Sequence, residues 1–157
     1  MHVLMVCLGN ICRSPMAEAV LAHLVAEAGL TETWRVDSAG TANYHVGDAP
    51  DHRTVQVCRS RNVAIKHTGR QLCKEDFELF DWILVMDDSN LSNTMNVKSR
   101  HYGQKKTRAT VELLGNYDPT GKRLVDDPYY GGISDFEDVF AQCERSLRRF
   151  LEAHKAS

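Results

Sequence analysis

Cys7 and Arg13 bracket the octapeptide Cys7-Leu-Gly-Asn-Ile-Cys-Arg-Ser14, and these residue types at this spacing suit nucleophilic attack on an oxyanion. An apolar run, His2 to Val6, precedes the octapeptide, and Pro15 and an amphipathic segment follow it. A loop between a strand and a helix start presents unpaired N–H groups and the positive end of a helix dipole. Successive N–H groups in a curled loop form a nest for a tetrahedral anion. Gly9 is expected to let the backbone curl where a side chain would obstruct it. Arg13 offers a planar fork that grips two oxygens at once. The same positive field favours the ionised form of Cys7, and the thiolate is the nucleophile. Ser14 either donates to the sulfur or caps the helix, with Pro15 in the first turn.

Displacing an oxygen leaving group from such an oxyanion also needs a proton, from an acid facing the thiolate across the central atom. The run Val125-Asp126-Asp127-Pro128-Tyr129-Tyr130-Gly-Gly132 is the candidate loop. On residue types alone Asp126 and Asp127 are equivalent, and Asp-Pro is also ordinary turn chemistry.

Helix signals alternate with short apolar runs, which predicts βαβ units. Strands are expected at 2–6, 34–38, 82–86 and 110–114. The first helix follows from Ala17, Val20, Leu21, Leu24, Val25 and Ala28 at helical spacing, with Gly29 closing it. Further helices are expected at 51–61 with Asp51 as cap, at 76–80, from Asp87 or Asp88 to about 97, and from Ser134 onward. The last carries Phe136, Val139, Phe140, Cys143, Leu147, Phe150 and Leu151 on one face. Segments 39–50 and 115–132 read as loop and turn. The expected fold is α/β: a single open four-stranded parallel sheet with helices on both faces and a phosphate-binding loop after strand 1. Ligands in such sheets bind beyond the carboxyl ends of the strands. Cys7, Ser38 and Asp87 all fall at such ends.

A length of 157 residues suits one domain, 1–157. The chain is 43% hydrophobic and 25% charged, and its formal charge of −2 gives no case for nucleic acid or an anionic membrane. No apolar run approaches the ~20 residues needed to span a bilayer, and no leader is expected before position 7. Five cysteines without paired spacing argue against a secreted disulfide framework and for a reducing cytoplasm. Cys58, Cys73 and Cys143 are expected to pack. The spacing of Cys and His does not suggest zinc.

The segment Cys7-Leu-Gly-Asn-Ile-Cys12-Arg13-Ser14-Pro15-Met-Ala-Glu18 resembles the signature loop of the low-molecular-weight protein tyrosine phosphatases. The likeness continues through Asp37-Ser38-Ala-Gly40, Val46-Gly47, Asp51-x-Arg53, Arg70-Gln71, Asp76-Phe77, Phe80-Asp81, Met86-Asp87-x-Ser89-Asn90-Leu91 and Asp127-Pro128-Tyr129-Tyr130-Gly131. The resemblance implies hydrolysis of phosphotyrosine and small aryl phosphates through a cysteinyl-phosphate at Cys7, without metal or organic cofactor. It implies a phosphate-binding loop of Leu8, Gly9, Asn10, Ile11, Cys12, Arg13 and Ser14. It selects Asp127, the residue before proline, as the acid. It implies a network of Asn10, Ser14, Ser38 and His67, and a cleft walled by Leu8, Tyr44, Tyr129 and Tyr130. Asp87 either orients Arg13 or caps a helix. Cys12 is either a redox partner of Cys7 or a buried filler. The implied partners are phosphotyrosine proteins, with inorganic phosphate and related oxyanions as inhibitors. An arsenate reductase of the same fold and a phosphotyrosine-binding module without turnover are the rival readings.

Overall fold

The apolar run at the N-terminus forms one of the two inner strands of a four-stranded sheet. In the computed structural model, which describes residues 1–156, β1 spans His2–Cys7, β2 Arg35–Gly40, β3 Trp82–Val85 and β4 Thr110–Leu113. Ser157, the last residue of the expected domain, lies outside the described residues. All pairings are parallel, in the order β2-β1-β3-β4. Helices α1 (Arg13–Glu27), α2 (His52–Ser60), α3 (Asp76–Leu79), α4 (Asp88–Tyr102) and α5 (Ile133–His154) surround the sheet.

From Val3 onward β1 is apolar and buried, because both of its faces are covered. Val3, Met5 and Cys7 point into the layer built by α1, α2 and α5. Leu4 and Val6 point the other way, against Phe77, Phe80 and Leu72. β3 follows the same alternation, with Leu84 on the first side and Ile83 and Val85 on the second. All seven apolar positions expected on the inner face of α5 are buried.

The boundaries differ in places from the sequence-based expectations. β2 begins one residue late and runs on to Gly40, because it stays in register with β1 up to the Cys7–Gly40 pair. Asp51 caps α2 as expected, accepting from the Arg53 N–H at 2.8 Å. Gly29 lies just past the cap of α1 at φ 71°, in the left-handed region where glycine avoids a Cβ clash. α4 extends five residues past its expected end. Its polar, Asn- and Ser-rich sequence hides it from a reading based on apolar spacing, and only Asn90 and Thr94 are fully buried. A 3-10 turn, Leu114–Tyr117, lies at the start of the segment expected to be turns. Cys58 and Cys143 pack in the core, but Cys73 is exposed, which corrects its assignment as a packing residue.

Phe150 on α5 anchors the end of the sheet opposite the loop. It is fully buried, with the rings of Tyr117, Trp82 and Trp34 edge-on at 5.1, 5.7 and 6.3 Å. Phe150→Ala should therefore cost about 3–5 kcal/mol, read as a lower urea midpoint at unchanged slope. A loss below about 1 kcal/mol would show that the ring cluster is not part of the cooperative core.

Candidate active site

Cys7 is the last residue of β1, and the chain turns from it through residues 8–12 into α1. The loop's carbonyls are held from outside. Thr41 N–H donates to Cys7 O at 2.9 Å, Ala42 N–H to Leu8 O at 3.0 Å and Asp51 N–H to Ile11 O at 2.8 Å. The Thr54 hydroxyl reaches Cys12 O at 3.4 Å. In a planar trans peptide the next N–H points opposite to the carbonyl. Outward carbonyls at 7, 8, 11 and 12 therefore turn the N–H groups of Leu8, Gly9, Cys12 and Arg13 inward. Cys12 occupies the N-cap of α1 and makes no side-chain cap hydrogen bond, so no capping side chain competes for the first-turn amides.

The curl itself is made by Asn10 at φ 58°, not by Gly9. Asn tolerates this left-handed conformation better than other L-residues, and here its side chain is bonded on all sides. Its Nδ2 donates to Ser14 Oγ at 2.8 Å and Ser38 Oγ at 3.0 Å. Its Oδ1 accepts from the Arg70 N–H at 3.0 Å and meets His67 Nε2 at 2.7 Å. Gly9 matters for close approach instead, since a Cβ there would stand 3.1 Å from the His45 ring.

These contacts fix the direction of the hydroxyl protons. Ser14 Oγ accepts from Asn10, so its own proton is free to point at Cys7 Sγ, 3.0 Å away. The Asn10 N–H is a second donor to the sulfur, at 3.3 Å. Ser14 lies inside α1, so the capping alternative falls away. Ser38 accepts from Asn10 and donates to Glu18 Oε1 at 2.6 Å. His67 Nδ1 faces Glu18 at 3.0 Å and Asp37 at 3.7 Å. Glu18, Asp37 and His67 form the one His/carboxylate group among the described residues with ligand atoms close enough for a metal. Those atoms are already engaged with Ser38, with Arg70 and with one another.

Arg13 is buried beneath the loop. Its Nη1 donates to Asp87 Oδ2 at 2.6 Å and Val125 O at 2.9 Å. Asp87 fills both of its expected roles, because its Oδ1 also caps α4 by accepting from the Asn90 N–H at 2.8 Å. Arg13 Nη2 lies 3.8 Å from Asp127 Oδ2, an ion pair too long for a hydrogen bond. Burial works against the charge of Arg13, but Cys7, Asp87 and Asp127 outweigh it and hold the guanidinium more firmly protonated than usual.

The geometry separates the two aspartates that the sequence left equivalent. Asp127 faces a cavity of about 290 Å³ that Cys7, Cys12 and Arg13 also line. Asp126 is turned outward, 78% exposed and paired with Lys122. Leu8, Gly9, Ile11, Tyr44, His45, Tyr129 and Tyr130 complete the cavity. Asn10, Ser14, Ser38, His67 and Asp87 stand behind it. Burial, helped by Asp51, pushes the Cys12 thiol up to about 12, so Cys12 is a neutral thiol beside Cys7. Sequence reasoning assigned no role to Glu18, His45 or Arg53. Glu18 could have been flagged as a charge among the apolar positions of α1. His45 carries no such signal, because only loop closure brings it over Gly9.

Arg13→Lys should weaken phosphate binding about 10–100-fold by calorimetry, because the three donors of an ammonium share one nitrogen and cannot hold Asp87 and Val125 O while gripping an anion as the guanidinium fork can. Unchanged affinity would reduce Arg13 to a buried counter-charge for Asp87.

Relatives of this geometry exist in sequence and in structure. Residues 2–157 match the model of the low molecular weight phosphotyrosine protein phosphatase family. The chain is 51% identical over 150 residues to the low molecular weight phosphotyrosine protein phosphatase of Homo sapiens, covering 96% of this chain and 93% of that one. It is 42% identical over 154 residues to the Saccharomyces cerevisiae protein of the same name, covering 96% and 92%. Among solved structures, a drosophila arginine phosphatase superposes with TM-score 0.92 at 37% identity, over 99% of this chain and 98% of that one. A protein tyrosine phosphatase from Entamoeba histolytica gives 0.90 at 36%, over 99% and 97%. With the match spanning nearly every residue, the chain belongs to the low molecular weight phosphotyrosine protein phosphatase family.

Proposed function

We propose that residues 1–157 act as one domain that hydrolyses protein phosphotyrosine and small aryl phosphates through a cysteinyl-phosphate. The observation that carries this reading is the convergence of Cys7, Arg13 and Asp127 on one aromatic-walled cavity, with Asp126 outside it. The Cys7 thiolate attacks phosphorus while the bond to the phenol oxygen breaks and Asp127 delivers its proton to that oxygen. Asp127, now a carboxylate, takes a proton from water as the water oxygen attacks phosphorus. The S–P bond breaks, releasing phosphate and restoring the thiolate. Arg13 and the inward N–H groups hold the equatorial oxygens in both steps. The loop supplies the positive field, so the mechanism calls on no metal or organic cofactor.

Tyr44, Tyr129 and Tyr130 suit an aryl ring. The drosophila relative's name raises phosphoarginine as the alternative substrate, to be assayed beside phosphotyrosine. Inorganic phosphate and related oxyanions should compete. An arsenate reductase discharges its intermediate through further thiols on a later segment, beyond any partner within the loop such as Cys12. Cys58 and Cys143 are buried in the core, and the exposed Cys73 lines a different groove beside α4. A module without turnover would leave the placement of Asp127 unexplained. No helix among the described residues is long and apolar enough to cross a membrane. Five unpaired cysteines favour a cytoplasmic setting.

Asp127→Ala should lower kcat/KM for phenyl phosphate by ~10²–10⁴-fold and much less for activated esters, with Asp126→Ala mild throughout. Cys7→Ser should lose turnover while still binding phosphate. Turnover by Cys7→Ser, or the reverse ranking of the two aspartates, would defeat this mechanism.

Cys12 is also proposed as a redox partner, since it shares the cavity with Cys7. Peroxide would convert Cys7 to a sulfenic acid, and the Cys12 thiol would displace water from it to form a disulfide. Wild type should recover activity in dithiothreitol and Cys12→Ser much less, with a Cys7–Cys12 peptide seen by mass mapping. Equal recovery without the crosslink would leave Cys12 as packing.

A further inference from the structure

We propose that Arg53 is a positioning residue for the proton-transfer step, holding the Asp127 loop at a set distance from the phosphate-binding loop. The proposal rests on the phosphatase reading above. Arg53 lies in the first turn of α2, outside the cavity lining, and four of its hydrogen bonds run in two directions. Toward the phosphate-binding loop, its Nε and Nη2 donate to Asp51 Oδ1 and Oδ2, each at 3.0 Å. The Asp51 N–H is the donor that turns Ile11 O outward. Toward the acid loop, Nη2 donates to Tyr129 O at 2.9 Å and Nη1 to Gly131 O at 3.0 Å.

Tyr129 is the residue whose N–H holds Asp127, donating to its Oδ1 at 3.1 Å. The guanidinium lies over the Phe136 ring, 4.3 Å from its centroid, which limits movement out of plane. One rigid, planar group thus connects the residue that shapes the anion nest to the residue that orients the acid. A lysine could neither bridge both aspartate oxygens nor reach both carbonyls, so the spacing depends on the fork and not only on its charge. Asp127 makes no short hydrogen bond to Arg13, so its placement over the cavity rests on the main chain that Arg53 holds.

The test separates action through Asp127 from general damage. Wild-type hydrolysis and its loss in Cys7→Ser are measured first, and failure there overturns the phosphatase reading itself. Thermal melting then establishes that Arg53→Ala is folded, with Arg53→Lys replacing it if it is not. The variant's kcat/KM should fall at least ~10-fold for phenyl phosphate, whose leaving group needs a proton, and less than ~3-fold for 2,4-dinitrophenyl phosphate, whose leaving group does not. In an Asp127→Ala background the same substitution should change the phenyl phosphate rate by less than ~2-fold, because the group it positions is already gone. Equal losses for both esters, or a ~10-fold loss that persists without Asp127, would overturn the proposal and make Arg53 a packing residue of α2.

Discussion

A loop that must turn its amides toward an anion cannot also turn its carbonyls there, and this constraint organises much of the molecule. Each outward carbonyl needs a donor, and apart from Cys12 O, which the Met16 N–H also meets within α1 at 3.3 Å, that donor comes from another segment, because an unpaired buried carbonyl is costly. Thr41 and Ala42 supply two, from the chain just after β2, and Asp51 and Thr54 supply two more from the start of α2. β2, the 41–51 loop and α2 are therefore parts of the loop's scaffold. The same logic explains Asn10. A left-handed residue costs energy unless its surroundings determine it, and both ends of its amide are committed.

The sheet explains why distant residues meet there. All strands are parallel, so their carboxyl ends lie along one edge, and β1 sits between β2 and β3. Cys7 ends β1, Ser38 lies near the end of β2, and Asp87 follows β3. The supporting network is drawn from these ends and closes through Asn10 and Arg13. The segment leading into the acid loop joins the same edge, where the Val125 N–H donates to Met86 O at 2.9 Å and Val125 O accepts from Arg13. The buried guanidinium thus links the phosphate-binding loop, the cap of α4 and the approach to Asp127.

What the sequence makes legible follows from the range of the interactions. Strand positions, the inner face of α5 and the Asp51 cap depend on neighbours within a few residues, and they read correctly. α4 did not read to its full length, because Asn, Ser and Lys carry little apolar periodicity. The positive φ of Asn10 is not legible in the sequence, since which of two adjacent residues takes it depends on Ser38, His67 and Arg70, far away in the chain. Asp126 and Asp127 are indistinguishable as residue types and are separated only by the direction the backbone takes after Val125. Family resemblance supplied the choice of Asp127, and the exposure of Asp126 beside Lys122 supplies its physical reason. The role of Arg53 is not legible in the sequence, because its partners Tyr129 and Gly131 lie more than seventy positions downstream.

The two thiols of the loop show how placement alone divides chemistry between identical side chains. Cys12 sits at the cap of α1, close enough to the amides to have been the nucleophile by a dipole argument. Burial and the nearby Asp51 carboxylate oppose a negative charge on it, and its thiol is pushed up to about 12. Cys7 is as buried as Cys12, but donors are aimed at it. The Asn10 N–H and the Ser14 hydroxyl are both directed at its sulfur, and that hydroxyl can donate only because Asn10 occupies its acceptor side. The direction of one proton on Ser14 is thus set by an amide whose own orientation is fixed by Arg70, His67 and Ser38. A substitution at any of these three acts on the sulfur without touching it, through which way a hydroxyl points.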